Sequence, residues 1–403
     1  MARIPVRVLS TLRRTPYQSF ETRSLDLFRN SISQFVNKEL TPTNVHAWDE
    51  AGRVPESIFQ KAGDIGILGV GYPSEYGGLG NDVSDLSYFL VLNEEMAKAG
   101  SGGLLAALLG HNIALPPILE LGSEELKQKV LPAVLSGQKR AALAITEPGG
   151  GSDVAAVRTS ARLEGDHYIL NGSKTFITGG MDAHYITTAV RTGGEGAGGL
   201  SLMVVDADTP GVHRTELPKT GWLCSDTATI TFEDAPVHVS NLIGRENKGF
   251  LTVMRNFNTE RIMLAAQSIY FSELLLDEAL KWAKERRTFG CRLVDHQVMR
   301  HKLVDMATQC ATSRAYLHYV ADAYKEDGNA DNIVQDICML KNAATDCMHF
   351  CADGAVQTMG GAGFIRGHAV ERLYREVKVM QIGGGSTEIM KELAAKHLGF
   401  MTD

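Results

Sequence analysis

The chain has no Cys-x-x-Cys pair, no long basic block, no internal repeat and no low-complexity segment. Its six cysteines, at 224, 291, 310, 338, 347 and 351, are scattered. That spacing excludes a zinc ribbon and fits a reducing compartment. Cys347, His349 and Cys351 invite a metal, but on a helix only the i, i+4 pair shares a face. They read as buried reduced thiols packing as small hydrophobes, and no metal is expected. The 40 basic residues are outweighed by 47 acidic ones, for a net charge of −7. With no basic block, wholesale nucleic-acid binding is excluded. No apolar run reaches the ~18 residues of a membrane span. The nearest, 101–122, is interrupted by His111, Asn112 and two prolines. A βαβ series is also missing, which argues against a dinucleotide-binding Rossmann domain.

What is present is ordinary globular material: 403 residues, 44% hydrophobic and 22% charged. That composition excludes a disordered chain or a fibre, and the length implies two or three structural units. The 41 glycines are clustered, as in backbone built to approach a ligand. Residues 1–19 form a basic extension. Residues 20–137 read as an N-terminal helical domain, with Leu25, Phe28, Ile32, Phe35 and Val36 at helical spacing. Ser123 caps a helix whose first turn holds Glu124 and Glu125. From 138 to 245 the segments are short, β-rich and bounded by turn residues, the pattern of a small antiparallel barrel or sandwich. Asn171-Gly172, between two strand-like runs, carries a hairpin signal. Residues 246–403 turn helical again, beginning with one amphipathic helix over 248–286. The fold class is α+β: helices, a β-domain, then a helical bundle.

Three segments carry chemistry. Thr146-Glu147-Pro148-Gly149-Gly150-Gly151-Ser152-Asp153 leaves backbone N–H groups and two hydroxyls open to a ligand. Gly172-Ser173-Lys174-Thr175-Phe176-Ile177-Thr178-Gly179 alternates aromatic and hydroxyl on a strand. Glu285-Arg286-Arg287-Thr288-Phe289-Gly290 closes the long helix. Each alone reads as readily as a loop or core segment.

Taken in order, and joined by ENKGF, HQ at 296–297, QTMGGAGF at 357–364 and GGGSTEIM at 383–390, they resemble the acyl-CoA dehydrogenases from about residue 20 to 399. The resemblance implies a helical domain, a β-barrel domain and a four-helix bundle, assembled as a homotetramer around FAD. It implies roles position by position. Thr146 and Ser152 bind flavin, and Ser152 also lies near the CoA arm. Phe176 and Thr178 lie against the flavin ring. Arg286, Thr288, Phe289 and Gln297 hold the FAD of a neighbouring subunit. Gln357 and Gly361 belong to the glycine-rich segment on the adenine–pyrophosphate side, and Ser386 and Glu388 belong to the segment after the last loop. Arg286 suits pyrophosphate, and glycines permit close backbone approach. The acid-free, basic residues 1–20 resemble a transit peptide to a mitochondrial matrix. A short basic extension on a cytoplasmic bacterial enzyme fits them too, and is the reading carried forward.

One departure matters. Many family members place the catalytic Glu in a Tyr-Glu-Gly-Thr loop. Here the loop is Gly383-Gly384-Gly385-Ser386, and the Glu position is Gly384. A minority resembling isovaleryl- and long-chain-type enzymes carry the base on the long helix as Glu-Arg-apolar, matched by Glu260-Arg261-Ile262. Phe257, Glu260, Arg261 and Leu264 fall on one helical stripe. A partly desolvated Glu260 there would be a better base near neutral pH. Arg261 is carried into the substrate site by the same motif. The implied reaction is α,β-dehydrogenation of an acyl-CoA thioester, Glu260 taking the α-proton and flavin N5 the β-hydride. The Gly384 N–H polarises the carbonyl, and electrons leave to an electron-transferring flavoprotein. An acyl-CoA oxidase or monooxygenase on the same fold, or a silent flavoprotein scaffold, are the competing readings.

Overall fold

The computed structural model describes residues 23–80, 86–327 and 330–400. The basic extension 1–19 lies outside the described residues. Chain contacts divide the molecule into two units. One holds residues 47–83 and 103–260; the other holds the chain up to His46, residues 84–102, and 261 onward.

Among the described residues eight α-helices precede the strands. They are α1 (Arg23–Glu39), α2 (Pro42–Ala51), α3 (Glu56–Asp64), α4 (Ser87–Ala97), α5 (Gly102–Leu109), α6 (His111–Ala114), α7 (Pro116–Leu121) and α8 (Glu124–Leu135). On α1 the apolar stripe Leu25, Ile32, Phe35 and Val36 is buried, and Phe28 lies 5.2 Å from the Tyr88 ring of α4. Ser123 caps α8 by accepting the Leu126 N–H at 3.2 Å. The strands that follow in the described residues are β1 (Ala141–Ala144), β2 (Ser160–Glu164), β3 (His167–Thr178), β4 (Tyr185–Arg191), β5 (Leu200–Asp206), β6 (Val212–Glu216), β7 (Thr227–His238) and β8 (Leu242–Ile243).

The strands make one sheet in the order β6-β7-β3-β2-β4-β5-β8, with β1 beside β4. It is mixed rather than antiparallel, because β1 and β2 both pair with β4 in parallel. The sheet curls on itself. Side chains from strands far apart in the order, such as Val205 of β5 and Ile230 of β7, share one core with Leu170, Ile186 and Phe232. Tyr185, Ala189, Leu202 and Val204 face the other way, onto Leu131 and Val134 of α8. Strands β4 and β5 are therefore buried on both faces, and each fully buried aliphatic side chain there contributes about 1.5–3 kcal/mol.

The expected hairpin at Asn171-Gly172 does not form. β3 runs unbroken for 12 residues through that dipeptide. The hairpin lies one step earlier, where Glu164 pairs with His167 across a two-residue Gly165-Asp166 loop with Gly165 at φ 62°. Asn171 instead marks a bulge. Its side chain donates to Asp234 Oδ1 at 2.9 Å and accepts the Asp234 N–H at 3.0 Å. Gly172 is needed because a Cβ there would lie 2.7 Å from Thr159 Cα.

The other unit is helical: α1, α4 and the later part of α9 (Gly249–Glu285), then α10 (Gln297–Asp327), α11 (Val334–Met359), α12 (Ala369–Ile382) and α13 (Thr387–His397). Between α9 and α10 sits a two-residue ribbon, β9 (Arg287–Thr288) and β10 (Cys291–Arg292). Charges fasten this unit internally. Arg372 of α12, 2% exposed, donates to Gly100 O at 3.0 Å, and Glu376 accepts the Gly102 N–H at 2.7 Å. Arg314 reaches both Glu94 and Glu273. No single described helix is long and apolar enough to cross a membrane.

Candidate active site

The first two chemical motifs meet in the strand-bearing unit. The Thr175 N–H donates to Thr146 O at 2.9 Å. Glu147 closes the glycine loop on itself, exchanging backbone hydrogen bonds with Gly150 at 3.2 and 3.0 Å. Its carboxylate accepts the N–H groups of Arg158 and Thr159, each at 2.8 Å. Beneath the loop the fully buried Lys174 ammonium donates to Glu147 Oε1 at 2.8 Å and to Ile145 O at 3.0 Å. Burial pushes Lys174 down to about 8 while Glu147 pulls it up. Burial would raise Glu147, but Lys174 and the donated hydrogen bonds outweigh it and hold the carboxyl low. The polar rim is thus rigidly held while Ser152 stays exposed and Thr146 half-buried.

Phe176 owes its direction to a second bulge. Between the Lys174–Ile230 and Ile177–Ala228 pairs, β3 has two residues where β7 has one. Phe176 takes the extra place at φ 59°, with 69% of its surface exposed. An aromatic in the left-handed region costs about 1–3 kcal/mol, and such strain gathers at functional sites. Thr178 follows, half-buried, at the end of the strand.

The helical unit presents the remaining positions on its surface. Arg286, Phe289 and Gln297 are exposed, and Thr288 exchanges a 3.1 Å hydrogen bond with His296. Phe289-Gly290 forms the turn of the ribbon with both residues at positive φ (48° and 83°). Phe289 is 99% exposed, so its strained backbone is not repaid by packing within the chain. Gln357 and Gly361 are exposed at the end of α11, and Ser386 caps α13 by accepting the Ile389 N–H at 3.4 Å. Glu388 lies exposed in the first turn of that helix.

The stripe expected on α9 is present: Arg261 and Leu264 are buried, and Phe257 and Glu260 half-buried. Arg261 Nε donates to Gly384 O at 2.9 Å. Hence the residue next in the chain to Glu260 touches the loop whose carboxylate is missing. Gly384 and Gly385 both take positive φ, 66° and 106°.

Comparison with known proteins decides the family. The acyl-CoA dehydrogenase N-terminal, middle and C-terminal domain models match residues 22–138, 142–235 and 247–399. The chain belongs to the acyl-CoA dehydrogenase family. It is 35% identical over 380 residues to an acyl-CoA dehydrogenase of Bacillus subtilis, covering 94% of this chain and 98% of that one. It is 36% identical over 374 residues to the mitochondrial isobutyryl-CoA dehydrogenase of Bos taurus, covering 92% and 88%. The crystal structure of acyl-CoA dehydrogenase from Geobacillus kaustophilus superposes with a TM-score of 0.89 at 35% identity, covering 94% of this chain and 99% of that one. Acyl-CoA dehydrogenases are FAD-carrying oxidoreductases acting on the CH–CH bond of acyl-CoA.

The residues present fit FAD. At Gly149, Gly150 and Gly361 an added Cβ would meet no atom of the chain within 4 Å, and none of the three needs positive φ. Packing within the chain does not require glycine there. A flat, polyanionic ligand approaching the backbone does.

Some features escaped the sequence reading. Lys174 lies inside a recognised motif, but its neighbours Ser173 and Thr175 are polar and the pattern carries no signal of its burial. Lys341 interrupts the apolar stripe Ile337, Cys338, Ala344 and Met348 of α11, yet it is fully buried. Among the cysteines, Cys347 and Cys351 do share a face, and His349 is exposed. Cys310 of α10 joins them, so the three thiols lie within 4.8 Å of one another, with Cys310 and Cys351 Sγ 3.7 Å apart.

Proposed function

We propose that this acyl-CoA dehydrogenase uses Glu260 as its base and prefers branched or medium-to-long acyl chains. The observation that carries the base assignment is Arg261 on Gly384. Arg261, next in the chain to Glu260, donates to the glycine loop where other members carry their carboxylate. Residues 383–386 offer no carboxylate, so a proton acceptor must come from elsewhere.

Bound FAD supplies the acceptor for the β-hydride at its N5. The chain supplies the rest. Glu260, half-buried, takes the α-proton. The α-proton of a thioester is very weakly acidic, so the carbonyl oxygen must be polarised as charge develops, and the Gly384 N–H is the donor for that task. Thr146, Ser152, Phe176 and Thr178 orient the isoalloxazine ring, with Ser152 also toward the CoA arm. Arg286, Thr288, Phe289 and Gln297 hold the FAD of a neighbouring subunit in a homotetramer, and Gln357 and Gly361 lie on the adenine–pyrophosphate side of the cofactor. The exposure of Arg286, Phe289 and Gln297 on a single chain supports the neighbouring-subunit reading. Ser386 and Glu388 complete the segment after the last loop. Electrons pass to an electron-transferring flavoprotein.

Glu260→Gln is the test. Turnover should fall by about 10²- to 10⁴-fold with FAD still bound, the scale on which positioned proton transfer contributes. Turnover like the wild type would sink the base assignment, and loss of FAD would make Glu260 structural.

A further inference from the structure

We infer that Lys341 is a positioning residue for the reaction, holding the peptide that presents the Gly384 N–H to the thioester carbonyl. The inference rests on the proposed role of that N–H.

Lys341 lies on α11 with no exposed surface. A buried ammonium is costly unless every proton finds a strong acceptor. Its Nζ donates to Gln381 O at 3.0 Å and to Gly385 O at 2.8 Å. Gln381 is in the last turn of α12, where carbonyls lack helical partners and a cation is favoured. Gly385 is four residues on, across the glycine loop. One side chain therefore ties the start of the loop to its end.

The loop needs that tie. Gly384 and Gly385 sit at φ 66° and 106°, and consecutive glycines in that region have many alternatives. Three carbonyls around the peptide bearing the Gly384 N–H are fixed: Gln381 O and Gly385 O by Lys341, and Gly384 O by Arg261 at 2.9 Å. Downstream, Asn342, next to Lys341, donates to Thr387 O at 3.1 Å, and Ser386 caps α13. With its neighbours held on both sides, this peptide has its direction set before substrate arrives. Such preorganisation is what makes an N–H effective against developing charge. Arg261 adjoins the proposed base and takes part in the motif chemistry. Lys341 does neither, and its role is to hold the loop.

The test uses FAD-loaded enzyme and a 3-thia-acyl-CoA, which can lose its α-proton but cannot give up a β-hydride. The enolate then reports itself as a long-wavelength charge-transfer band whose pH titration gives the apparent acidity of the bound α-proton. In Lys341→Met that acidity should weaken by tenfold or more, and kcat with a true substrate should fall by a similar factor at near-unchanged KM. Lys341→Gln, which keeps a donor, should recover part of both. Should Lys341→Met fail to retain FAD, Lys341→Gln and Gly385→Ala decide. The added Cβ of Gly385→Ala lies 2.5 Å from Met390 Cε at a strained φ, disturbing the loop at the carbonyl that Lys341 holds while keeping the lysine itself. Wild-type enolate titration and kcat per flavin in these variants would overturn the inference, even if melting temperature or FAD content drops. Failure of the base assignment is distinguishable, since it is read in Glu260→Gln alone.

Discussion

Lys174 shows how one buried charge can serve a loop many ångströms of chain away. It lies under the glycine loop and fixes it through Glu147, which in turn holds two backbone N–H groups. Burial lowers its ammonium to about 8, against an ordinary value of 10.5. The unfolded chain therefore binds the proton more readily between those values, and conformational stability should rise as pH climbs from 8 to 10.5, by up to about 3 kcal/mol. Over the same range the neutral amine grips Glu147 less firmly, so FAD retention should fall. Urea unfolding and flavin content at pH 7.5, 9 and 10 check the two opposite slopes. In Lys174→Met both slopes should flatten, with FAD content already low at pH 7.5.

Among elements, β3 and the β9–β10 ribbon place aromatics by local strain. The bulge opposite β7 turns Phe176 outward while Ile177 stays buried. In the ribbon, positive φ at both turn positions suits glycine or asparagine, yet Phe289 occupies the first. Phe289→Gly should relieve this and stabilise the protein stripped of flavin by about 1–2 kcal/mol. It should also weaken flavin retention, on the proposed role of Phe289 in holding the cofactor. Thermal melts of flavin-free and flavin-loaded samples would show the two effects with opposite sign. A variant that is both less stable and fully loaded would show that Phe289 serves the fold and not the cofactor.

For the whole molecule, alignment over nearly the full length of the Bacillus subtilis relative means that all three domains of the family are present. Arg286 is exposed at the end of α9, consistent with service to a neighbouring subunit. Arg286→Ala should lower flavin content and tetramer population together, read by absorbance ratio and light scattering. A fully loaded, intact tetramer would count against the carried-over role. Substrate choice belongs to this scale too. On the proposed reading a glycine at 384 in place of a loop carboxylate gives the acyl chain more room, and room for a methyl or methylene is worth about 1–3 kcal/mol in specificity. A panel of straight and branched acyl-CoAs should favour branched or medium-to-long chains over butyryl-CoA by 10- to 200-fold in kcat/KM. Butyryl-CoA as the best substrate would defeat the pocket argument and leave the base assignment standing.

Periodicity alone determined where the long helices run, because burying an apolar stripe requires a 3.6-residue repeat whatever the partner. Motif order was enough to indicate the family, and the absent loop carboxylate turned attention to Glu260. Local pattern was insufficient wherever a partner from elsewhere in the chain chose the outcome. Asn171-Gly172 reads as a turn in isolation; Asp234, 63 residues on, makes it a bulge. Cys310 reaches the thiols of Cys347 and Cys351 only because α10 packs on α11. Lysines 174 and 341 read as solvated charges until the folded chain covers them and supplies carboxylate or carbonyl acceptors. A charge buried at such cost is retained only where tertiary structure provides acceptors for it, and a linear pattern does not contain those distances.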